Sequence, residues 1–247
     1  MPIDYKHIKK QFEKSLNDYD KNAIVQDLMA SKMVLELSKH KKEFDNILEL
    51  GSGTGLATKR IIREIKYKNY YANDIVEKSK LYLQKIIPEV NFLHGNALKI
   101  KPSRKMDLII SNAMFQWFEN LDKAIDILKF SLEKDGFLAF STFAPDNFAE
   151  LKDITGLSLQ YKSQEEIKEI IEKLGFEILY CENFYEELNF KTPLELLAHM
   201  KKTGVNSLSE KTWTVKKVKD FCDRYSKKYP KTKLTYSPII VIAKNRF

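Results

Sequence analysis

The sequence predicts an α/β fold. It reads as a seven-stranded, mostly parallel sheet with helices on both faces, a helical segment ahead of it and a helical insertion before the last strand. Three observations predict it. A strand at Phe44–Leu50 runs straight into Gly51-Ser52-Gly53-Thr54-Gly55, and a helix starts at Leu56. Strand–helix units then recur, with continuous apolar runs such as Leu108-Ile109-Ile110 that suit a parallel sheet buried on both faces. With 247 residues and 43% hydrophobic side chains, the chain can bury one large core, or one core with a cap.

Three of the eight glycines fall within residues 51–55. Glycine lets the backbone approach a ligand, and a helix N-terminus offers free N–H groups, so this unit makes a pocket for a nucleotide-like molecule. A dinucleotide fingerprint needs G-x-G-x-x-G; here Leu56 holds the third glycine's place and the pattern is G-x-G-x-G. Glu49, two residues before Gly51, repels a pyrophosphate and suits a ligand that carries positive charge. The run Glu49-Leu50-Gly51-Ser52-Gly53-Thr54-Gly55 resembles motif I of the class I S-adenosylmethionine-dependent methyltransferases. The resemblance implies a Rossmann-like fold and S-adenosylmethionine as cofactor.

In chain order, residues 4–40 read as helix. Phe12, Leu16 and Tyr19 share a face, and Ile24, Leu28, Met33, Val34 and Leu37 continue an apolar stripe. The polar run Asn17–Asn22 is expected to break this helix in two. The segment either caps the sheet or folds over the ligand as a lid, as the resemblance implies. A second strand, Asn69–Asp74, ends in an acid 23 residues after Gly51. A carboxylate there can accept from both ribose hydroxyls. Asp74 also suits the N-cap of a helix expected over 76–86. A third strand, Val90–His94, is followed by Gly95-Asn96-Ala97, where Asn96 is either a turn residue or, by the resemblance, a contact to adenine. The fourth strand, Met106–Asn112, opens into Ala113-Met114-Phe115-Gln116-Trp117-Phe118 at its carboxyl end, where open α/β sheets place ligands.

A helix over 121–132 and an Asp135-Gly136 turn lead into the fifth strand, Phe137–Phe143. Ser163 caps a helix stopped by Gly175, and Phe176–Phe184 is the sixth strand. Thr232–Lys244 reads as the last strand, with Pro238 marking a bulge or an edge. Residues 185–231 read as a two-helix cap. Thr192 and Pro193 open its first helix and Gly204 ends it. The second helix, over 214–229, buries Val215, Val218, Phe221, Cys222, Tyr225 and Tyr229. The expected organisation is therefore a lid at 1–40, a core at 41–184, the cap at 185–231 and the final strand at 232–247.

Composition narrows the setting. There is no basic-then-apolar opening and no apolar run long enough to span a bilayer. Cys181 and Cys222 lack metal-ligand spacing and His7, His40, His94 and His199 are scattered, so neither a zinc site nor a disulfide is expected, and a reducing cytoplasmic compartment is. The net charge is +8, and residues 199–247 carry thirteen Lys and Arg against three Asp and Glu. This is either an ordinary solvated surface or one that steers an acidic partner.

Further segments narrow the resemblance. Phe12, Tyr19, Ala23 and Gln26, the run Ser111-Asn112-Ala113-Met114-Phe115-Gln116-Trp117, Phe140-Ser141-Thr142-Phe143 and Lys201-Lys202-Thr203-Gly204-Val205-Asn206 resemble the malonyl-[acyl-carrier protein] O-methyltransferase family of biotin synthesis. That resemblance implies methyl transfer to the free carboxylate of a malonyl thioester on acyl-carrier protein. It places Gln26, Glu49, Gly51, Ser52, Gly53, Gly55, Asp74, Ile75, Asn96, Ala97, Asn112 and Gln116 at the cofactor. A carboxylate is already ionised at neutral pH, so no general base is expected. Lys123 after the fourth strand is a candidate to hold the acceptor, though it reads more readily as a plain surface lysine, and Tyr19 on the lid either orients the acceptor carboxylate or closes on the methionine moiety. Lys201, Lys202 and Lys216 are candidates to dock the acidic carrier. Rival readings are a methyltransferase of a free small acid such as trans-aconitate and a non-catalytic S-adenosylmethionine-binding module. A nucleic-acid methyltransferase is disfavoured, since Ser111-Asn112-Ala113-Met114 stands where N-P-P-Y or D-P-P-Y would.

Overall fold

The computed structural model describes residues 4–204 and 213–247. Two helices come first, α1 (Tyr5–Asn22) and α2 (Ile24–His40). Asp4 caps α1, its carboxylate accepting from the Lys6 and His7 amides. The break falls at Ala23, not within Asn17–Asn22. That polar run completes the last turn of α1, where the Asn22 side chain donates to Asp18 O at 2.6 Å.

Strands and helices then alternate. They are β1 (Glu43–Leu50), α3 (Leu56–Glu64), β2 (Lys66–Asp74), α4 (Ser79–Gln84), β3 (Asn91–His94) and β4 (Met106–Ser111). After a 3-10 turn at Phe115–Trp117 come α5 (Leu121–Lys129), β5 (Leu132–Phe143), α6 (Ala149–Thr155), α7 (Gln164–Lys173) and β6 (Phe176–Asn183). The chain closes with β7 (Glu186–Phe190), α8 (Pro193–Lys202), α9 (Val215–Lys228), β8 (Thr232–Tyr236) and β9 (Pro238–Asn245).

Seven strands form the main sheet in the order β3-β2-β1-β4-β5-β9-β6. The first five are mutually parallel, and β9 runs antiparallel to both β5 and β6. Both faces are covered. Met33, Val34, Leu37 and Ile61 pack with Ile47, Leu108 and Ile242 on one side. Ile125, Leu128, Ile167 and Ile171 pack with Leu48, Ile109 and Val241 on the other. This double burial is why the strands lack polar alternation. The strand order reverses between β1 and β4, so their carboxyl ends open a crevice, which positions the site.

The chain departs from expectation in its last third. The stretch expected as one strand splits at Ser237. Its first half, β8, pairs antiparallel with β7 in a separate two-stranded sheet, while β9 lies inside the main sheet. Pro238 is therefore neither bulge nor edge. It opens β9 opposite Phe143, at the point where the chain changes sheets. β7 escapes sequence reading because it is only half buried. Strand five starts at Leu132: the Asp135-Gly136 turn becomes a bulge inside it, with Asp135 at φ 60° and the register jumping from Met106↔Leu132 to Leu108↔Phe137. The helix expected over 76–86 is only Ser79–Gln84. On α9, Phe221 and Tyr225 are buried, but Val215 is 88% exposed because it lies in the first turn, beyond the apolar cluster. That cluster joins Leu151, Leu196, Phe221, Tyr225 and Tyr236 to Val25 and Met29 of α2.

Candidate active site

The glycine loop bridges β1 and α3 at the crevice. Its shape is fixed from β2: the Ser52 amide and hydroxyl both donate to Asn73 O, at 3.0 and 3.1 Å. Asp74 is buried, and its two carboxylate oxygens accept from the Gly53 and Val76 amides, each at 2.7 Å. Burial raises its pKa and the backbone donors oppose that rise. Gly53 has φ 54°, and a Cβ there would enter open space at the cavity wall.

The loop floors a cavity of about 130 Å³. Of the residues expected at the cofactor, Gly51, Ser52, Gly53, Asp74, Ile75, Asn96, Ala97 and Asn112 line it. Asn96 accepts the Leu98 amide on Oδ1 at 2.9 Å. Tyr5, Ile8, Phe12, Leu16 and Tyr19 of α1 form the roof. Only Phe12, Leu16 and Tyr19 stood out in the sequence, although Tyr5 and Ile8 continue the same i, i+3, i+4 stripe. The roof is tied down by Asp20, which accepts the Thr54 hydroxyl and pairs with Lys59 at 3.0 Å.

A smaller cavity of about 20 Å³ adjoins the first and shares Phe12, Tyr19, Ala113 and Trp117 with it. Gln26 and Gln116 line this second cavity and not the first. Ala113 sits on the shared wall with φ 51°, a strained conformation for a residue with a Cβ. It is pinned from two sides: its amide donates to Ser141 Oγ at 2.9 Å and its carbonyl accepts Gln116 Nε2 at 2.6 Å. Asn112 locks the arrangement, accepting from Ser141 Oγ at 2.7 Å and donating to Gln26 O at 2.9 Å. The F-S-T segment thus contributes a structural serine.

Three candidates fall elsewhere. Glu49 lines neither cavity. It shares the β1 face of Ile47, beneath α3, where its Oε2 accepts from Thr58 Oγ1 and Tyr70 OH, both at 2.6 Å. Burial pushes its carboxyl up to about 7. Gly55 is also absent from the walls. It starts α3 at φ 79°, and a Cβ there would lie 2.3 Å from Ile86 Cδ1, so it serves packing. Lys123 is exposed on α5 and lines neither cavity, because the buried residues Leu121, Ala124, Ile125 and Leu128 turn it to solvent. Lys201, Lys202 and Lys216 are exposed. Val205 and Asn206 of the K-x-T-G-x-N segment lie outside the described residues. Among the described residues, no group of three or more His, Cys, Asp or Glu could hold a metal ion, both cysteines are free and no helix is long and apolar enough to cross a membrane.

Comparison with known proteins gives a consistent result. Residues 22–180 match a family model described as a methyltransferase domain. The N-methyltransferase NodS of Bradyrhizobium japonicum, solved with S-adenosyl-L-homocysteine, superposes with a TM-score of 0.61 at 12% identity, covering 98% of this chain and all of that one. An S-adenosylmethionine-dependent methyltransferase of Clostridium acetobutylicum gives 0.59 at 14% identity, covering 95% and 98%. These two likenesses establish the fold. Curated relatives reach further. The malonyl-[acyl-carrier protein] O-methyltransferase of Bacteroides thetaiotaomicron is 33% identical, with 97% of each chain covered. That of Haemophilus influenzae is also 33% identical, over 98% of this chain and 95% of its own. Identity at this level, sustained over nearly the full length of both chains, makes this protein a member of the malonyl-[acyl-carrier protein] O-methyltransferase family.

Proposed function

We propose that the protein transfers the methyl group of S-adenosylmethionine to the free carboxylate of a malonyl group on acyl-carrier protein, giving the methyl ester that primes pimeloyl and biotin synthesis. Family membership supports the substrate. One structural observation carries the chemistry: two adjoining cavities share Phe12, Tyr19, Ala113 and Trp117, which sets a donor in the larger next to an acceptor in the smaller.

The larger cavity fits the cofactor. Each Asp74 oxygen spends one lone pair on a backbone amide, leaving others for a ribose diol. Open space in front of Gly53 leaves room that any side chain would fill. Asn96 keeps its NH₂ for a purine nitrogen, flanked by Ile75 and Ala97. Bound S-adenosylmethionine supplies an electrophilic methyl group, whose S–C electron pair stays with sulfur as the ester C–O bond forms. No proton moves, since the acceptor is already ionised. The chain's own residues therefore act by orientation and by excluding water. Helix α1 serves as the lid, anchored through Asp20, and the end of α8 closes the acceptor side through Thr203. A cytoplasmic setting completes this reading.

Intact-mass spectrometry of malonyl-acyl-carrier protein incubated with enzyme and S-adenosylmethionine tests it. The expected result is a gain of one methylene, absent with an acetyl carrier. No gain in the presence of cofactor binding would discard the acceptor.

The basic end of α8 supports carrier docking. Thr203, which follows the exposed Lys201 and Lys202, lines the smaller cavity, so the basic end of α8 adjoins its wall. Charge reversal by Lys201→Glu, Lys202→Glu or Lys216→Glu is expected to raise KM several-fold for malonyl-acyl-carrier protein while leaving KM for a small malonyl thioester within about twofold. Equal effects on both substrates would remove the docking role.

A further inference from the structure

The geometry points to the smaller cavity as the seat of the acceptor carboxylate, held there by neutral hydrogen-bond donors alone. This rests on the methyltransferase reading above and names the residues that select its acceptor.

Three independent features mark the cavity as a built site. The first is unspent polarity. Four buried side-chain polar atoms among the described residues lack a hydrogen-bond partner, and three of them belong to residues that line this cavity: the Trp117 Nε1 donor, on the wall shared with the larger cavity, and the Gln26 and Gln116 Oε1 acceptors, so a carboxylate seated here takes the donors and turns away from the two amide oxygens. Gln26 is only 4% exposed. Native structures rarely leave such atoms orphaned, since each forfeits its water without a replacement. The second is strain. Three described residues other than glycine have positive φ, and two of them, Ala113 at 51° and Phe148 at 58°, line this cavity. Strain of this kind collects where a site over-determines the backbone. The third is the shared wall, which places an occupant beside whatever fills the larger cavity.

The donors are specific. Asn147 accepts the Ser237 amide on Oδ1 at 3.1 Å and so presents Nδ2 to the Tyr161 hydroxyl, 3.2 Å away. Tyr161 accepts there and keeps its own proton to give. Tyr19 makes no hydroxyl hydrogen bond to a described residue, and the Trp117 indole N–H and the Gln26 amide are also uncommitted. Burial raises the Tyr19 and Tyr161 hydroxyls far above their ordinary pKa, so both remain neutral donors. Gln116 differs: its Nε2 is taken by Ala113 O, which leaves it only an acceptor oxygen. No Lys, Arg or His lines the cavity.

That absence of cations among the lining residues fits the reaction. A carboxylate and a sulfonium become a neutral ester and a neutral thioether, so both charges vanish along the coordinate. A lysine would hold the ionised acceptor more tightly than the transition state and slow the transfer. Neutral donors orient the carboxylate with less of that penalty. They also set specificity. A malonyl thioester brings one negative charge, whereas a free dicarboxylate brings a second that meets no Lys, Arg or His on the cavity lining.

The test measures binding and turnover together. Isothermal calorimetry with a small malonyl thioester, in the presence of S-adenosylhomocysteine, is run on the wild type, Tyr161→Phe and Gln26→Leu. Tyr161→Phe removes a single oxygen and is the safer variant for folding. Each variant is expected to weaken thioester binding about tenfold, the scale of one lost hydrogen bond, while affinity for S-adenosylhomocysteine stays within about twofold. The wild-type KM for the small thioester should change less than twofold between about 50 and 500 mM salt, since no ion pair is screened. Free malonate should be methylated at least about tenfold less efficiently than the thioester. Wild-type turnover with unchanged thioester binding in both variants, or a KM that climbs steeply with salt, would overturn the assignment and leave the methyltransferase reading intact. Cofactor binding by the wild type without turnover of any malonyl thioester would instead sink that reading, and this assignment with it.

Discussion

Asp74→Ala is expected to weaken binding of S-adenosylmethionine at least about 100-fold, equivalent to roughly 3 kcal/mol. The residue has two tasks. Its oxygens hold the Gly53 and Val76 amides and so shape the loop that floors the cavity. The same carboxylate is the proposed partner of the ribose hydroxyls, and hydrogen bonds to a charged group contribute about 1.5–3 kcal/mol each. Asp74→Asn keeps one carbonyl oxygen for one of the two amides and loses the charge, so an intermediate loss is expected. Calorimetry with S-adenosylhomocysteine measures both, with circular dichroism as the check on folding. Wild-type affinity in Asp74→Asn would show that the carboxylate is structural only.

Glu49→Gln is expected to change how stability depends on pH. The Glu49 carboxyl is pushed up from its ordinary 4.5 to about 7 by burial, despite the hydroxyls of Thr58 and Tyr70. Between those two values the folded protein holds a proton that the unfolded chain releases. The resulting stabilisation is complete below about pH 4.5 and is lost as pH rises through about 7. A shift of this size corresponds to about 3 kcal/mol. Glutamine cannot ionise, yet its oxygen can still accept from both hydroxyls. Urea unfolding at pH 5 and pH 8 should therefore show the variant gaining up to about 3 kcal/mol relative to the wild type at the higher pH. Parallel pH profiles would mean that Glu49 is already ionised in the folded state.

Much of the site was legible because its signals are local. The glycine spacing, the acid closing β2 and the polar run closing β4 each mark a strand end, and strand ends in such a sheet converge on one crevice. Two misplacements were also readable in principle. Glu49 alternates with Leu48 and Leu50 and so must share the opposite face, that of Ile47, under α3. Lys123 falls off the 121, 124, 125, 128 stripe that buries α5. What local patterns could not supply was non-local. Nothing in Thr232–Lys244 announces that its halves join different sheets, because that depends on β7, whose side chains are only half buried. The acceptor cavity is likewise assembled from α1, α2, the β4 turn, the loop before α7 and the end of α8. Tyr161 reaches it from a segment with no periodicity to reveal it.

The split at Ser237 bears on how members of this family could diverge. The chain leaves the main sheet after Asn183 and re-enters at Pro238, and these points touch: the Phe184 amide donates to Pro238 O at 3.0 Å, and Asn183 Nδ2 to Ser237 Oγ at 3.0 Å. The described residues between them leave and rejoin the main sheet at one place, beside two adjacent antiparallel strands, and pack back on α2 and α6. Such a segment can be lengthened, exchanged or grafted by recombination at two neighbouring cuts, while the glycine loop and Asp74 stay untouched. One inherited cofactor chassis can thus be given a new outer segment, with its exposed Lys201, Lys202 and Lys216, while all but Thr203 of the smaller cavity's lining stays in place.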